Sequence, residues 1–393
     1  MDFLKNTHYQ FIERRKTAFI CSAIVILAGL LSLIIRGGPN YGIDFEGGTL
    51  IQLKFLEPVE VSSMRDILKS IDYGDAIIQR FGTEKEVLIR VKEAESASAP
   101  GKGVADQILS AIHASVGDPE AGGGKLDINA AGPAELALNL KTLEAFKDNA
   151  EAANSLGLAI VEARNKAEGQ FASLDELSAI SGMPPEAVKY FKNNAYISKF
   201  IVTRQEMVGP KVGKDLRGKA VLAIFWAVLG ILVYISLRFR FRFAVAAIVA
   251  LIHDVAITLG IFSIFDREIS LTIIAALLTI VGYSLNDTIV VFDRIRENSK
   301  ALRSLPLIEQ LDVSINQTLA RTILTSLTTF IVVFVLFVMG GEVIRDFALA
   351  LIIGIVVGTY SSIFVASPIL YEWERLSIGR SKKKHVSSGS SAA

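Results

Sequence analysis

The sequence predicts an α-helical polytopic membrane protein with six transmembrane helices and an external α+β domain between helices 1 and 2. Apolar residues make up 51% of the 393 residues, and the mean hydropathy is +0.45, as is typical of membrane proteins. Six apolar segments are long enough to cross a hydrocarbon core of about 30 Å. One long polar stretch separates the first segment from the other five, so the plan is half of a twelve-span transporter.

The ends of the apolar segments divide the chain. The segments are 17–35, 220–237, 244–265, 269–292, 323–339 and 347–370. The divisions that we expect are an N-terminus at 1–16, helix 1 at 17–36, the domain at 37–218, helices 2–6 at 219–371 and a basic tail at 372–393. The first segment is too long for a typical signal peptide, and residues 36–39 are a poor cleavage site, so we expect it to remain as a span.

Basic residues indicate the orientation, because short loops rich in Lys and Arg stay on the cytoplasmic side. They precede span 1, fill the turn between spans 2 and 3, follow span 4 and occupy the tail; they are Arg14, Arg15, Lys16, Arg238, Arg240, Arg242, Arg294, Arg296, Lys300, Arg303, Lys382, Lys383 and Lys384. The short loops at 266–268 and 340–342 lack this excess. We therefore expect cytoplasmic termini and an external domain. The single cysteine, Cys21, excludes a disulfide within the chain.

The domain between spans 1 and 2 has the pattern of a ferredoxin-like split unit, in the order β-α-β-β-α-β. We predict strands at 49–55, 76–81, 87–91 and 196–205, and helices at 62–71 and 104–116. This fold carries many functions and selects none of them.

A helical insertion at about 118–194 resembles the helix-hairpin-helix unit of competence DNA-uptake proteins, after a Gly-rich junction at 122–124. The resemblance rests on residues 126–131, 134–136, 159–164, 169–177 and 181–185. Pro184 or Pro185 stands where that family has a hairpin glycine, and proline removes a backbone donor. Residues 118–199 contain 8 Lys and Arg against 12 Asp and Glu, the wrong balance for binding phosphates. We expect a protein-contact module and no nucleic-acid partner.

Asp287 lies inside the fourth apolar segment. An Asp at the centre of a membrane helix costs about 2.5–3.5 kcal/mol on insertion scales, so such a residue usually has a task. Asp254 is about 16 Å into the third segment, near the midplane. Arg321 opens the fifth segment at a depth similar to that of Asp287. A carboxyl group that alternates between an ion pair and a drier site takes up and releases a proton. A static polar clamp between helices is the alternative.

Other polar residues of the spans receive supporting roles. Seven could hydrogen-bond the Asp287–Arg321 pair or hold water: Ser284, Asn286, Thr288, Thr325, Ser326, Thr328 and Thr329. We expect His253 to be a helix-packing donor. The small-residue runs at 354–358 and 358–362 favour close helix contact. Asp293, Arg294, Arg296 and Glu297 are expected to form an interfacial network that ends the fourth helix. Glu342, Arg345 and Asp346 lie at the external mouth of the sixth span.

Taken together, these motifs resemble the SecF family of protein-export membrane subunits, within the resistance-nodulation-division (RND) superfamily. The likeness rests on residues 41–49, 208–210, 253–254, 283–294, 346–348 and 358–364. The positions taken as family motif or structural residues are Gly42, Asp44, Gly47, Gly48, Gly209, Pro210, Asp293, Arg294 and Asp346.

The resemblance implies a function, partners and site residues. Asp287 matches the family's proton-pathway aspartate and Arg321 the arginine that works with it; we place Asp254, Asn286 and Thr288 on the same pathway. The implied partners are SecD, the SecYEG channel, YajC, the translocating polypeptide and membrane lipids. The chain would use the proton gradient to promote late steps of polypeptide translocation across the bacterial inner membrane, with the large domain in the periplasm.

Two other functions stay open. One is an RND-type exporter of small molecules or lipids, although such proteins usually carry two large external loops on twelve spans. The other is a scaffolding subunit without proton coupling. The sequence contains no phosphate-binding loop, no nucleophile with a base and no metal-ligand cluster, so we expect no enzyme activity, no cofactor and no metal.

Overall fold

The structure is a computed structural model and describes residues 7–92, 103–118 and 124–377. The predictions for Gly122, Gly123, the Glu342 side chain and the tail beyond residue 377 lie outside the described residues. Two compact units are present: a membrane unit, from 1–45 and 214–393, and a loop domain, 46–213.

The described elements are mostly helical. The helices are α1 (Arg15–Ile35), α2 (Ile43–Glu46), α3 (Val61–Lys69), α4 (Val104–Val116), α5 (Pro133–Leu140), α6 (Ala150–Lys166), α7 (Pro185–Asn194), α8 (Pro210–Arg238), α9 (Phe241–Ile264), α10 (Leu271–Ala301), α11 (Leu307–Met339) and α12 (Gly341–Ser361). The strands are β1 (Gly48–Phe55), β2 (Ile77–Phe81), β3 (Thr83–Val91), β4 (Leu126–Asp127), β5 (Ala195–Tyr196) and β6 (Phe200–Val208). A π-helical turn, Ser362–Ala366, follows α12, and helix continues to residue 377.

Within the described residues, six helices are long and apolar enough to cross a membrane, which confirms the predicted fold class. They are α1, α8, α9, α10, α11 and the helix formed by α12 with its π-turn and continuation. The prediction that charged residues end the fourth span's helix is wrong, because α10 continues to Ala301. Charged side chains there pair along the helix surface, Asp293 with Arg296 at 3.1 Å and Arg294 with Glu297 at 2.7 Å, as residues three apart on a helix can.

Helices α1 and α9 run parallel in close contact. Three contacts share one sequence offset: Ser22 with His253, Gly29 with Gly260, and Ser32 with Ser263. A Cβ atom added at Gly29 would lie 2.5 Å from the Cα atom of Gly260, so the backbones approach where only glycine fits.

Helix α12 packs against both α10 and α11. Gly358 lies against Ser284, where an added Cβ atom would be 3.0 Å from the serine Cβ atom, and Gly354 lies against Ile280. The close contact predicted for these small residues is therefore present. Its consequence is that the polar side chains of α10, α11 and α12 meet inside the unit.

Ion pairs mark the two ends of the membrane unit. At one end Arg15 lies 2.8 Å from Glu372 and Arg242 lies 2.9 Å from Glu374. At the other, Arg36 pairs with Asp266 at 2.9 Å and Arg267 with Asp346 at 3.2 Å. The basic segments before α1 and between α8 and α9 therefore lie at the same end as the last helical turns of the chain.

The loop domain contains the predicted ferredoxin-like unit. Its four-stranded sheet has the order β2-β3-β1-β6, and every neighbouring pair is antiparallel. Helices α3 and α4 follow β1 and β3, and their apolar side chains form one core with the sheet. The core side chains include Ile51, Leu53, Met64, Ile89, Ile108 and Phe200.

The motif residues Gly47 and Gly48 occupy left-handed backbone conformations at the start of β1, with φ values of 78° and 131°. Other residues rarely adopt such values. A Cβ atom on Gly47 would also lie 2.7 Å from the Cα atom of Pro210, the first residue of α8. Two motifs far apart in sequence, Gly47-Gly48 and Gly209-Pro210, therefore meet.

The insertion forms a separate helical core from α5, α6 and α7, with β4 pairing β5. Arg164 of α6 donates three hydrogen bonds of 2.9 Å to the carbonyl oxygens of Ile128, Asn129 and Ala131. Burial lowers the pKa of the Arg164 guanidinium, and the charge of Asp127 opposes that effect. Arg164 thus fixes the turn that leads into α5.

Candidate functional site

Asp287 is buried in α10, with 2% of its surface exposed. Its Oδ2 atom accepts a hydrogen bond of 3.1 Å from Ser326 of α11. The Ser326 hydroxyl in turn accepts a bond of 2.7 Å from Thr359 of α12. The amide of Asn286 lies 3.5 Å from Oδ1, a weak contact. One carboxyl group is therefore linked to three membrane helices.

Arg321 is exposed and lies off this chain of hydrogen bonds. Among the described residues no hydrogen bond or ion pair joins it to Asp287, although it is near enough for its charge to attract the carboxylate. Arg321 precedes Ser326 by five residues, which is about 7.5 Å along α11 and about 140° around it. The serine therefore faces Asp287 while the arginine faces outward.

Two threonines lie beside Asp287. Thr288 is buried and donates to the Ser284 carbonyl oxygen at 3.1 Å, so it bonds its own helix rather than Asp287. Thr322 is buried one turn from Ser326 on the same face of α11, and its hydroxyl has no hydrogen-bond partner within the described part of the chain. Thr322 thus places an unbonded hydroxyl between Arg321 and Ser326 along α11.

Asp254 of α9 is fully buried and forms a second network. Its Oδ2 atom accepts hydrogen bonds from Ser284 of α10 at 2.6 Å and from Ser361 of α12 at 2.8 Å. Its Oδ1 atom lies 2.9 Å from Nδ1 of His253. Asp254 therefore belongs to a different network from Asp287. It contacts α10 at Ser284, about one turn before Asp287, and it contacts α12 at Ser361.

The second network extends to α1 through His253. The Nε2 atom of His253 lies 2.9 Å from the Ser22 hydroxyl, which is 3.2 Å from the Tyr360 hydroxyl. Tyr360 donates to the carbonyl oxygen of Ala18 at 2.9 Å. A continuous chain of polar groups thus joins α9, α1 and α12.

Three motif residues of the membrane unit, Gly42, Asp44 and Asp346, lie at the end that contains Arg36, whereas Asp293 and Arg294 lie at the other end. Asp44 accepts a hydrogen bond of 2.9 Å from the backbone N–H of Leu271 and so caps α10. The backbone N–H of Gly42 bonds the Ile269 carbonyl oxygen at 2.9 Å, and a side chain at Gly42 would collide with Glu268. These residues position the start of α10 rather than touch Asp287.

Sequence reasoning missed several members of the two networks. Ser22 received no role, and Thr359, Tyr360 and Ser361 were read only as part of a small-residue run for helix contact. A signal was present, since each is a polar side chain in an apolar span. Within the described residues no group of three His, Cys, Asp or Glu side chains could hold a metal ion. The site is therefore built from two buried carboxyl groups, one imidazole and hydroxyls.

Two family models match the chain. Residues 188–376 match the C-terminal region of protein export membrane protein SecD/SecF, and residues 32–59 match the SecD/SecF GG motif. The first match contains Asp254, Asp287 and Arg321, and the second contains Gly47 and Gly48. Residues 60–187, with most of the insertion, lie between the two matches.

Curated relatives resemble the chain over nearly its full length. The protein translocase subunit SecF of Koribacter versatilis is 38% identical over 385 residues, which cover 95% of this chain and 94% of the relative. The subunit of the same name from Magnetococcus marinus is 40% identical over 368 residues, covering 94% and 93%.

A solved structure has the same fold. The crystal structure of SecDF from Thermus thermophilus, described as a translocon-associated membrane protein, is 31% identical with a TM-score of 0.65. The match covers 95% of this chain and 40% of the SecDF chain, so this chain spans less than half of that protein.

Proposed function

The chain belongs to the SecF family of protein translocase subunits, and we propose that it acts with SecD to use the proton gradient in late steps of polypeptide translocation through SecYEG. It is a multi-pass membrane protein of protein export. The observation that carries the proton role is the buried Asp287 carboxyl, linked through hydroxyls to two neighbouring helices.

Protonation of Asp287 changes what its neighbours must do. An ionised carboxylate only accepts hydrogen bonds, and Ser326 supplies one at 3.1 Å. A protonated carboxyl must donate its own O–H. If it donates to Ser326, the serine hydroxyl turns away and its contact with Thr359 is remade. Loading a proton therefore alters the contact between α10, α11 and α12, and a small change there biases helix positions.

Arg321 provides the second state of the cycle. A rotation of α11 that brings Arg321 toward Asp287 would pair the two charges and favour the ionised carboxylate. Thr322 follows Arg321 directly in α11, and its buried hydroxyl has no hydrogen-bond partner within the described residues. We propose that Asp287 holds its proton in the arrangement with Ser326 and releases it in the arrangement with Arg321. Asn286 and Thr288 adjoin Asp287 in α10, and Asp254 reaches the same helix through Ser284; we propose that all three belong to the proton pathway.

A second six-span half covers the outward face of α10 and α11. Asn286, Arg321 and Thr325 are exposed there, on helices long and apolar enough to span a membrane. A guanidinium facing lipid at this depth is costly, so it needs a polar partner surface. The solved SecDF chain is more than twice the matched length, and we propose that SecD supplies this half. SecYEG, YajC and the moving polypeptide complete the assembly.

The proposed location is the bacterial inner membrane with both termini cytoplasmic. The end of the membrane unit that contains Arg15, Arg238 and Arg242 also contains Arg294 and Arg296, and basic short loops stay in the cytoplasm. The loop domain is then periplasmic, where it meets the emerging polypeptide. A small-molecule exporter would need its own large second loop, which the described segments between spans 2 and 6 lack.

Export of a secretory precursor in cells tests the proposal. Asp287→Asn keeps the shape of the side chain and removes its charge. The matched control is Glu297→Gln on the same helix, where the carboxylate is 69% exposed and pairs with Arg294 at the surface. We expect precursor to accumulate with Asp287→Asn and not with Glu297→Gln, at equal membrane levels of both. Normal export with Asp287→Asn would leave the chain a scaffold.

A further inference from the structure

The His253–Asp254 pair has two complete hydrogen-bond arrangements that differ by one proton. Asp254 is 0% exposed and His253 is 7% exposed, so neither group is solvated. Donors approach both carboxylate oxygens: Ser284 and Ser361 at Oδ2 and the imidazole at Oδ1. With an ionised Asp254, the Nδ1 atom of His253 carries a proton in either arrangement.

In the first arrangement the imidazole is neutral. Its Nε2 atom then has a lone pair, and the Ser22 hydroxyl, 2.9 Å away, donates to it. The Tyr360 hydroxyl donates to the Ala18 carbonyl oxygen in both arrangements. The pair carries one negative charge, which is costly at a buried position.

In the second arrangement a proton from water has bound to Nε2. The new N–H donates to the Ser22 oxygen, and the Ser22 hydroxyl rotates so that its hydrogen points to the Tyr360 oxygen, 3.2 Å away. Donation then runs in one direction from His253 through Ser22 and Tyr360 to Ala18, and no group loses a partner. The buried pair becomes an imidazolium and a carboxylate without net charge.

The proton binds the imidazole rather than the carboxylate. Asp254 already receives hydrogen bonds at both oxygens, which favour its charged form. The titratable groups of the described residues that face His253 are Asp254 on its own helix and Tyr360 on α12; α1 presents Ser22, and α10 presents Ser284 to the pair.

We propose that His253, paired with Asp254, is a second proton-binding site of the membrane unit, separate from Asp287, and that the direction of the Ser22 hydroxyl reports its state to α1. The Ser22 hydroxyl donates to α9 when the site is empty and to α12 when it is loaded, while it stays bonded to His253 in both states. This role goes beyond helix packing by His253. It rests on the proposed function only for its use in transport, because proton binding itself is measured without transport.

Nitrogen NMR of the full-length chain, labelled with ¹⁵N-histidine in lipid nanodiscs, tests the proposal directly. The chain has 4 histidines, and the signal lost in His253→Gln assigns the site. We expect a neutral form protonated at Nδ1 that converts to the doubly protonated form as the pH is lowered. A signal that keeps one form throughout, or a neutral form protonated at Nε2, overturns the proposal.

Ser22→Ala removes the acceptor of the Nε2 proton, so we expect a smaller doubly protonated fraction than in the unmodified chain at the same pH. Ser32→Ala is the matched control, since Ser32 joins α1 to α9 through Ser263 at 2.9 Å and lies off the network. Equal fractions in the two variants would overturn the role of Ser22. Asp287→Asn should leave proton binding at His253 unchanged. Normal export in that variant would therefore contradict the proposed function without contradicting the proposal for His253.

Discussion

The contact between α1 and α9 predicts opposite effects for one substitution at two glycines. In Gly29→Ala the new Cβ atom would lie 2.5 Å from the Cα atom of Gly260. Carbon atoms pack best at about 3.5–4.0 Å, so the helices must separate by about 1.0–1.5 Å. Overpacking of this kind costs about 1–3 kcal/mol. Alanine also favours helix over glycine by about 0.8–1.0 kcal/mol, which offsets part of the loss.

Gly230→Ala in α8 is the matched control, because no atom lies within 4 Å of a Cβ atom there. This variant gains the higher helix propensity of alanine and has no overpacking. The free energies of unfolding of the two variants should therefore differ by the overpacking cost of about 1–3 kcal/mol. Reversible unfolding of the purified chain in mixed detergent micelles measures both. Equal stabilities in the two variants would refute the close approach of α1 and α9.

The remaining predictions concern the cap of α10 and the loop domain. Asp44→Ala removes the cap on the Leu271 N–H, which costs about 1 kcal/mol and should speed amide exchange there; unchanged exchange would contradict the cap. Arg164→Met leaves three carbonyl oxygens without their donor, and we expect a loss of about 3 kcal/mol in the unfolding of the loop domain; no loss would contradict this anchor. Lys192 holds the pKa of Asp175 below its usual 3.8, first by a hydrogen bond and then by its charge. Stability from a depressed carboxyl pKa is present above the unfolded pKa and is lost as the pH falls through the folded pKa. The melting temperature of the loop domain should therefore decrease less steeply with pH below 3.8 in Lys192→Gln than in the unmodified chain.

The sequence was sufficient for the spans and for the ferredoxin-like order of the loop domain. Hydropathy identifies the spans because a helix that crosses the hydrocarbon core must be mostly apolar. Apolar and polar residues alternate along the strands because one face of the sheet packs on a single core. The limits of the helices were harder to predict. Helix α10 continues past Phe292 to Ala301 because Asp293 and Arg294 find partners three residues on, which hydropathy does not register.

The sequence predicted the two buried acids of the candidate site and included Ser326, the partner of Asp287, among seven polar candidates, but it did not predict the partners of Asp254. Asp254 and Asp287 stand out because a carboxylate in an apolar span is costly. Their partners Ser361 and Ser326 depend on the rotation and offset of neighbouring helices, which close packing at residues such as Gly358 determines. The same rotation turns Arg321 outward, a feature that matched depth alone does not reveal.

Precursor export by Asp287→Asn and Asp287→Glu, compared at equal protein levels, tests the central claim most directly. Asparagine keeps the volume and removes the titratable proton, while glutamate keeps the proton and adds a methylene to a buried position. If proton binding drives the work, glutamate should retain part of the export and asparagine should lose it. If Asp287 only packs, the order reverses, with asparagine active and glutamate impaired, and that result would contradict the proton-driven account.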